Sequence, residues 1–296
     1  MEWRNIILRI SVVVTTYNGK MHLEKQLLSL LQQERAPDEV LIFDDGSTDG
    51  TIELVQSFIR KNCLESWQFY VNAKRKGWKQ NFMEGLRKAA GDILFPCDQD
   101  DIWYPKKLAE MTTVMEQHPE IKLLACDYRV LYEPGALKAT VYKKTPAETQ
   151  GLITRYGFTK HFFMNPYPGC TYAVRRDFFD AVKELWFDGS PHDEFLWLMA
   201  AVQDGAWFYN RVLMDYVRYS DNASGVRYKD VALQKENLRY IHKQLCALQS
   251  FAAKHPDAVP VERCKMLAAA QIWCAKRQKL METRSPLRWL ALAPWW

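Results

Sequence analysis

The residues best suited to chemistry in this chain are carboxylates gathered in two short stretches, Asp44-Asp-Gly-Ser-Thr-Asp49 and Asp98-Gln-Asp-Asp101. Each follows an apolar run, Val40-Leu-Ile-Phe43 or Ile93-Leu-Phe-Pro96, of the kind that forms a buried strand. In an open α/β sheet, loops leaving strand C-termini line one crevice, so acids distant in sequence can converge on one ligand. Asp98 and Asp100 stand two residues apart, which in an extended segment puts both side chains on one face. Carboxylates so paired suit Mg²⁺ or Mn²⁺, hard ions completed by water and substrate phosphates. The plain alternatives are an Asx turn with a helix cap for the first stretch and a solvated acidic turn for the second. The second is framed by Phe95-Pro96-Cys97 and Ile102-Trp103, which argues against free solvation. A further acid, Asp193, follows Pro191-His192 at the start of an aromatic-rich segment. It could be a general base or a helix N-cap, and Glu194 competes with it because neighbours at a helix start point in different directions.

These loops need a scaffold, and the apolar pattern supplies one. Ile10-Ser-Val-Val-Val14 reads as a first strand ending in Thr15-Thr-Tyr-Asn-Gly19. Helical spacing over 21–31, a strand at 40–43 and a helix over 52–60, capped by Ser47 or Thr48, follow. The alternation continues with a strand at 67–71, a helix at 81–90, a strand at 93–96, a helix at 106–117 and a strand at 122–127. Such succession predicts right-handed crossovers and a mostly parallel sheet flanked by helices. Periodicity weakens over 133–165, expected to be loops and an acceptor-side insertion. A strand at 170–175 and helices at 178–186 and 193–202 complete the pattern, and beyond Tyr228 the chain turns helical and basic.

At 296 residues, with 11 Trp, 14 Tyr and 14 Phe, the chain can bury a large core. Residues 226–296 carry 13 Lys and Arg against 5 acids, leaving 1–225 net acidic. That basic end suits an anionic partner without selecting one. Seven cysteines with no CxxC pair suit a reducing compartment, hence the cytoplasm. No apolar run reaches the ~18 residues of a spanning helix. Within 261–296, Arg263, Lys265, Lys276, Arg277, Lys279, Arg284 and Arg288 interleave with Trp273, Trp289, Trp295 and Trp296. This suits either peripheral contact with the inner face of a membrane or a helix packed on protein, and leaves a homo-oligomer open.

Taken together, Val13-Val-Thr-Thr-Tyr-Asn18, Ile42-Phe-Asp-Asp-Gly-Ser-Thr-Asp-Gly-Thr51, Lys76-Gly-Trp-Lys-Gln-Asn-Phe82, the stretch from Gly91 to Trp103, and Pro191-His-Asp-Glu194 resemble one known family. It is the inverting family 2 glycosyltransferases of GT-A fold, especially bacterial rhamnosyltransferase-like members, and the likeness covers about residues 8–225. The resemblance implies a GT-A, Rossmann-like catalytic domain over 1–225, with a nucleotide-sugar half at 1–127 and an acceptor half at 128–225. A basic helical extension over 226–296 would follow. Thr15, Tyr17 and Asp44 would hold the nucleotide base with Asp45 close by, and Asn81 would join the donor pocket. Asp98 would contact the ribose and, with Asp100, the metal of the DxD motif. Asp193 would be the catalytic base. The loop at 216–225 departs from the family pattern: Arg218 could pair with phosphate, but no His follows it, so no third metal ligand is assigned there.

The implied partners are a nucleotide-diphosphate sugar donor and a glycan or lipid-linked acceptor in bacterial surface polysaccharide synthesis, with no nucleic acid. Two rivals remain at this level. A sugar-phosphate nucleotidyltransferase would place a Gly-rich basic loop after the first strand, where Thr15-Thr-Tyr-Asn-Gly19 stands. A degenerate nucleotide-sugar-binding partner module is opposed by the intact acids and favoured by the missing His.

Overall fold

The computed structural model describes residues 7–136, 151–159, 162–163, 167–219 and 231–282. Strands β1 (Ile10–Thr16), β2 (Glu39–Asp44), β3 (Trp67–Val71) and β4 (Ile93–Cys97) alternate with helices α1 (Lys20–Leu31), α2 (Thr51–Lys61) and α3 (Trp78–Lys88). Then come β5 (Ile102–Trp103), α4 (Lys107–Gln117), β6 (Leu123–Tyr132), β7 (Ile153–Arg155), β8 (Tyr172–Arg175), α5 (Arg176–Val182), α6 (His192–Ala201) and β9 (Ala206–Arg218). Two long helices, α7 (Val231–Lys254) and α8 (Val261–Glu282), close the described chain.

The nine strands form one sheet in the order β3-β2-β1-β4-β8-β6-β9-β5, with β7 also on β9. Neighbours from β3 to β4 are parallel. The far half is mixed: β8 is antiparallel to β4 and β6, β6 and β9 run parallel, and β5 and β7 are antiparallel to β9. The expected α/β sheet flanked by helices is present, and its parallel character belongs to the first half.

Because strand side chains alternate faces, consecutive residues feed two cores. Val12 and Val14 join Leu23, Leu27 and Val55 beneath α1 and α2, whereas Val13 joins Phe82, Met83 and Leu86 of α3. Helix α3 lies so close that a Cβ on Gly85 would come within 2.4 Å of Val13 Cγ1. That second core continues through α6 to Leu245, Leu248 and Phe251 of α7 and Leu267 of α8, so both C-terminal helices pack on the sheet domain.

Several local expectations change. Helix α2 is not capped by Ser47 or Thr48; Asp49 Oδ1 accepts the Thr51 N–H at 3.0 Å, while Ser47 serves Asp44. Helix α3 starts three residues early, behind Gly77 at φ +83°. The helix expected to run to 186 ends as α5 at Val182, followed by a 3-10 turn. Strand β9 went unread: Asn210 and Asp215 interrupt its apolar pattern, yet both are buried. Of the C-terminal aromatics, Trp289, Trp295 and Trp296 lie outside the described residues, as do the boundary near 226, residues 137–150 of the insertion and residues 220–225 of the 216–225 loop.

Candidate active site

Strands β1, β2 and β4 share one C-terminal edge, where Thr16 pairs with Asp44 and Val14 with Cys97. The loops beyond therefore meet. Asp44 Oδ2 accepts from Thr16 Oγ1 (2.7 Å) and Ser47 Oγ (2.6 Å), and Oδ1 accepts from the N–H groups of Gly46 (3.0 Å) and Ser47 (2.7 Å). A carboxylate offers about four lone-pair positions, so Asp44, with no exposed surface, is fully occupied in closing its own loop. Asp45 likewise fixes the next loop, accepting from the N–H groups of Lys76 (2.7 Å) and Gly77 (2.8 Å) and from Asn72 Nδ2 (3.1 Å). Asn81 accepts from Asn72 (2.9 Å) and donates to the Phe43 carbonyl (2.9 Å).

At the front of this frame stand Thr15, on the strand face opposite Thr16, and Tyr17. The Tyr17 backbone is held at both ends by Gln99, whose Oε1 accepts its N–H (2.8 Å) and whose Nε2 donates to its carbonyl (3.2 Å). The Arg75 guanidinium lies 3.9 Å above the Tyr17 ring, a cation–π contact.

Residues 98–101 turn at Gln99 and Asp100 rather than running extended as expected, and the Gln99 side chain is drawn back onto Tyr17. The turn still concentrates charge. Burial, then the nearby charges of Asp100 and Asp193, push the Asp98 carboxyl up to about 7. Asp101 is buried and raised further by burial and by Asp100 and Asp98; its Oδ1 accepts the Val217 N–H at 3.3 Å. Burial also raises Asp100, opposed by the Tyr219 hydroxyl, which donates to its Oδ2 at 2.7 Å, and by His22 and Arg218. The Tyr219 ring stacks on His22 with centroids 4.4 Å apart.

Beneath the turn lies fully buried Lys107, whose ammonium donates to the Cys170 carbonyl and sits 3.8 Å from the Trp103 ring centroid. Asp98, Asp101 and Cys170 each offer a ligand atom, all within 4.8 Å of one another. Hard oxygen donors whose charges repel, held together by the fold, fit a divalent cation. Asp100, the second acid of the expected pair, is not one of these three.

The N-terminus of α6 completes the site. Asp193 sits in its first turn, close enough to raise Asp98, and its own carboxyl is raised by burial. Glu194 points elsewhere: its Oε2 accepts from the Tyr240 hydroxyl of α7 at 2.7 Å, and Gln244 Nε2 donates to that hydroxyl (2.6 Å) and to Ser190 Oγ (3.0 Å). At the other end of α6, Arg263 of α8 donates to the carbonyls of Ala201 (3.0 Å) and Val202 (2.9 Å). Buried His192, stacked on Phe82 at 4.0 Å, is pushed down to about 3 by desolvation and stays neutral.

The sequence profile of glycosyl transferase family 2 matches residues 11–179, more than half of the chain. The chain belongs to that family. It is a glycosyltransferase, similar to the dTDP-rhamnosyl transferase RfbG of Shigella flexneri at 24% identity over 72% of this chain and 73% of that protein. For further curated relatives, 25–32% identical over the shared stretch, that stretch is under half of their length. Among solved structures, Staphylococcus aureus TarS in complex with UDP-GlcNAc superposes with a TM-score of 0.64 at 17% identity, over 95% of this chain and 85% of that one. A Pyrobaculum calidifontis mannosyltransferase in complex with GDP-Man and Mn²⁺ gives 0.51 at 16% identity, over 97% and 84%. At these identities the likeness establishes the GT-A fold.

The charges of Asp100 and Asp193 thus act on Asp98 and that of Arg218 on Asp100, while Thr15 lies at the end of β1 beside Phe43 of β2. Asp44, Asp45 and Asn81 are hydrogen-bonded to the neighbouring loops. Sequence reasoning missed Gln99, Lys107, Cys170, Tyr219 and Tyr240. Gln99 sits inside the acidic motif and was legible as a polar residue between two acids; the others carry no local signal, since their partners are 63 to 119 residues away or, for Tyr240, 46. Among the described residues no helix is long and apolar enough to cross a membrane.

Proposed function

We propose that the protein is an inverting, metal-dependent glycosyltransferase that moves a sugar from a UDP- or dTDP-sugar to a hydroxyl of a glycan or lipid-linked acceptor in bacterial surface polysaccharide synthesis. The observation that carries this reading is the meeting of Asp193 with Asp98 while Glu194 is tied to Tyr240. One acid is thereby left for the acceptor and one group of acids for the donor.

Thr15 and Tyr17 receive the base, on a frame fixed by Asp44, Asp45 and Asn81. Asp98 and Asp100 hold a Mg²⁺ or Mn²⁺ ion that, when bound, neutralises charge on the donor diphosphate. Arg218, whose charge reaches Asp100, adds a second cation on the phosphate side. Asp193 accepts the acceptor hydroxyl proton as that oxygen bonds to the anomeric carbon. The bond from that carbon to the diphosphate oxygen breaks, the electron pair leaves with the nucleoside diphosphate, and single displacement inverts the anomeric centre. A base raised by burial is better matched to neutral pH than an ordinary Asp. The dTDP-rhamnosyl relative and the Mn²⁺ in the mannosyltransferase complex support the donor class and the ion. The convergence of acids speaks against a degenerate binding module.

The test is calorimetric titration of UDP, dTDP, GDP and CMP with and without Mn²⁺, on the wild type and Asp100→Ala. Metal-dependent binding of one diphosphate, lost in the variant, is expected. Absence of binding to all four would overturn the proposal.

A further inference from the structure

A large aromatic side chain left open to solvent on a rigid, catalytic rim calls for an explanation. Trp78, the first residue of α3, is 44% exposed, although burying such a ring would stabilise the fold. Its position is fixed rather than loose: Gly77 turns the chain at φ +83°, Asp45 grips the N–H groups of Lys76 and Gly77, and Asn81 ties the helix to β2. The ring meets His192 edge to face, at 6.1 Å and 82°, and His192 is braced from behind by Phe82. The residue after His192 is Asp193.

Polar groups flank the same rim. The Lys79 ammonium lies 5.6 Å from the Trp78 ring centroid, donates to the Gly189 carbonyl at 2.7 Å, and partly offsets the burial that raises the Asp193 and Glu194 carboxyls. Across the loop, by contrast, the Tyr17 ring is already covered by Arg75. The cation over Tyr17 is close, at 3.9 Å, and the one over Trp78 more distant, at 5.6 Å, with 44% of Trp78 exposed.

A pyranose ring has an apolar C–H face and a rim of hydroxyls. The polarised C–H groups are drawn to the negative face of an indole, while the hydroxyls require hydrogen-bonding partners. We propose that Trp78 forms the stacking wall of an acceptor subsite, taking the C–H face of a pyranose ring so that a hydroxyl at its edge reaches Asp193, with Lys79 beside it. The proposal rests on the reading of Asp193 as the base and adds the acceptor class to it: a sugar ring presented face-on, rather than a lipid or peptide hydroxyl.

The test uses the full chain with UDP or dTDP and Mn²⁺, and saturation-transfer NMR with methyl rhamnopyranoside, methyl glucopyranoside and methyl N-acetylglucosaminide as probes. Saturation of ring C–H protons is expected in the wild type, falling about fivefold or more in Trp78→Ala and largely kept in Trp78→Phe, as for loss and retention of an aromatic contact. Nucleotide affinity of Trp78→Ala should stay within about twofold, since the ring packs on His192 and Lys79 and the backbone bonds to Asp45 are unchanged by the substitution. No pyranoside signal in the wild type, or an equal signal in Trp78→Ala, overturns the acceptor wall. If nucleotide binds while that signal is independent of Trp78, only this inference fails; if no nucleotide binds, the parent reading fails.

Discussion

The parallel half of the sheet and the region that carries Asp193 are built by different means. From β1 to β4 the chain is parallel and locally organised: each acid sits at the end of its own strand, and Asp44 and Asp45 are satisfied largely by backbone N–H groups within their own or the next loop. On the other side, Asp193 is placed by α6, which is gripped at its start by Tyr240 and Gln244 and at its end by Arg263. The lesson is that Asp44 and Asp45 are held by partners within 32 residues in the chain, whereas the helix that carries Asp193 is held by partners 46 to 62 residues further along.

The largest expected effect breaks the comparison at its chemical end. Asp193→Asn should lower transfer by about 10²- to 10⁴-fold, the usual worth of a general base, with nucleotide affinity nearly unchanged. Glu194→Gln should cost far less. Equal losses in steady-state assays of the two variants would show that the division between base and braced neighbour is wrong.

Next is the framework. Asp44→Ala strands two backbone N–H groups and two hydroxyls in a buried loop, so a loss of about 3 kcal/mol in urea unfolding is expected, with weaker nucleotide binding. A variant as stable as the wild type would mean that Asp44 acts on the ligand instead.

A pH series sharpens the acid cluster. Asp98 is raised to about 7 in the fold, so its protonated form is favoured there: its contribution to stability is full below about pH 4 and is lost as pH rises through about 7. Protons and cations compete for the same oxygens, so Mn²⁺ affinity measured by calorimetry should rise about tenfold from pH 6 to pH 8. A flat profile would show that Asp98 is not a ligand.

The smallest effect tests the brace itself. Tyr240→Phe removes one hydrogen bond to Glu194, and a severalfold fall in kcat with an unchanged KM for the donor is expected from slight misplacement of Asp193, roughly threefold to tenfold. If donor KM rises instead, α7 supports the nucleotide half and the two halves are less separate than described.

Short apolar runs made β1, β2 and β4 legible within one or two residues, because parallel strands buried on both faces must be largely apolar, and the half-exposed edge strand β3 was legible from its aromatic and β-branched residues. The acidic motifs were legible for the same reason, as polar breaks after such runs. Strand β9 was not, since Asp215 looks like a break until Arg129 and Tyr104 are seen to bind it, each at 2.7 Å. Nor could local pattern choose between Asp193 and Glu194, two adjacent acids at one helix start.

The sequence by itself determined the family, the parallel first half of the sheet and the acids that line the crevice, because period and turn chemistry act over a few residues. Tertiary structure alone decided how each acid is held. Asp44 and Asp45 are bound by loop N–H groups, Glu194 by Tyr240 and Asp100 by Tyr219, while the charges of Asp100 and Asp193 act on Asp98. A carboxylate's role depends on how many of its lone pairs the fold has already filled, and that number is set by partners far away in the chain.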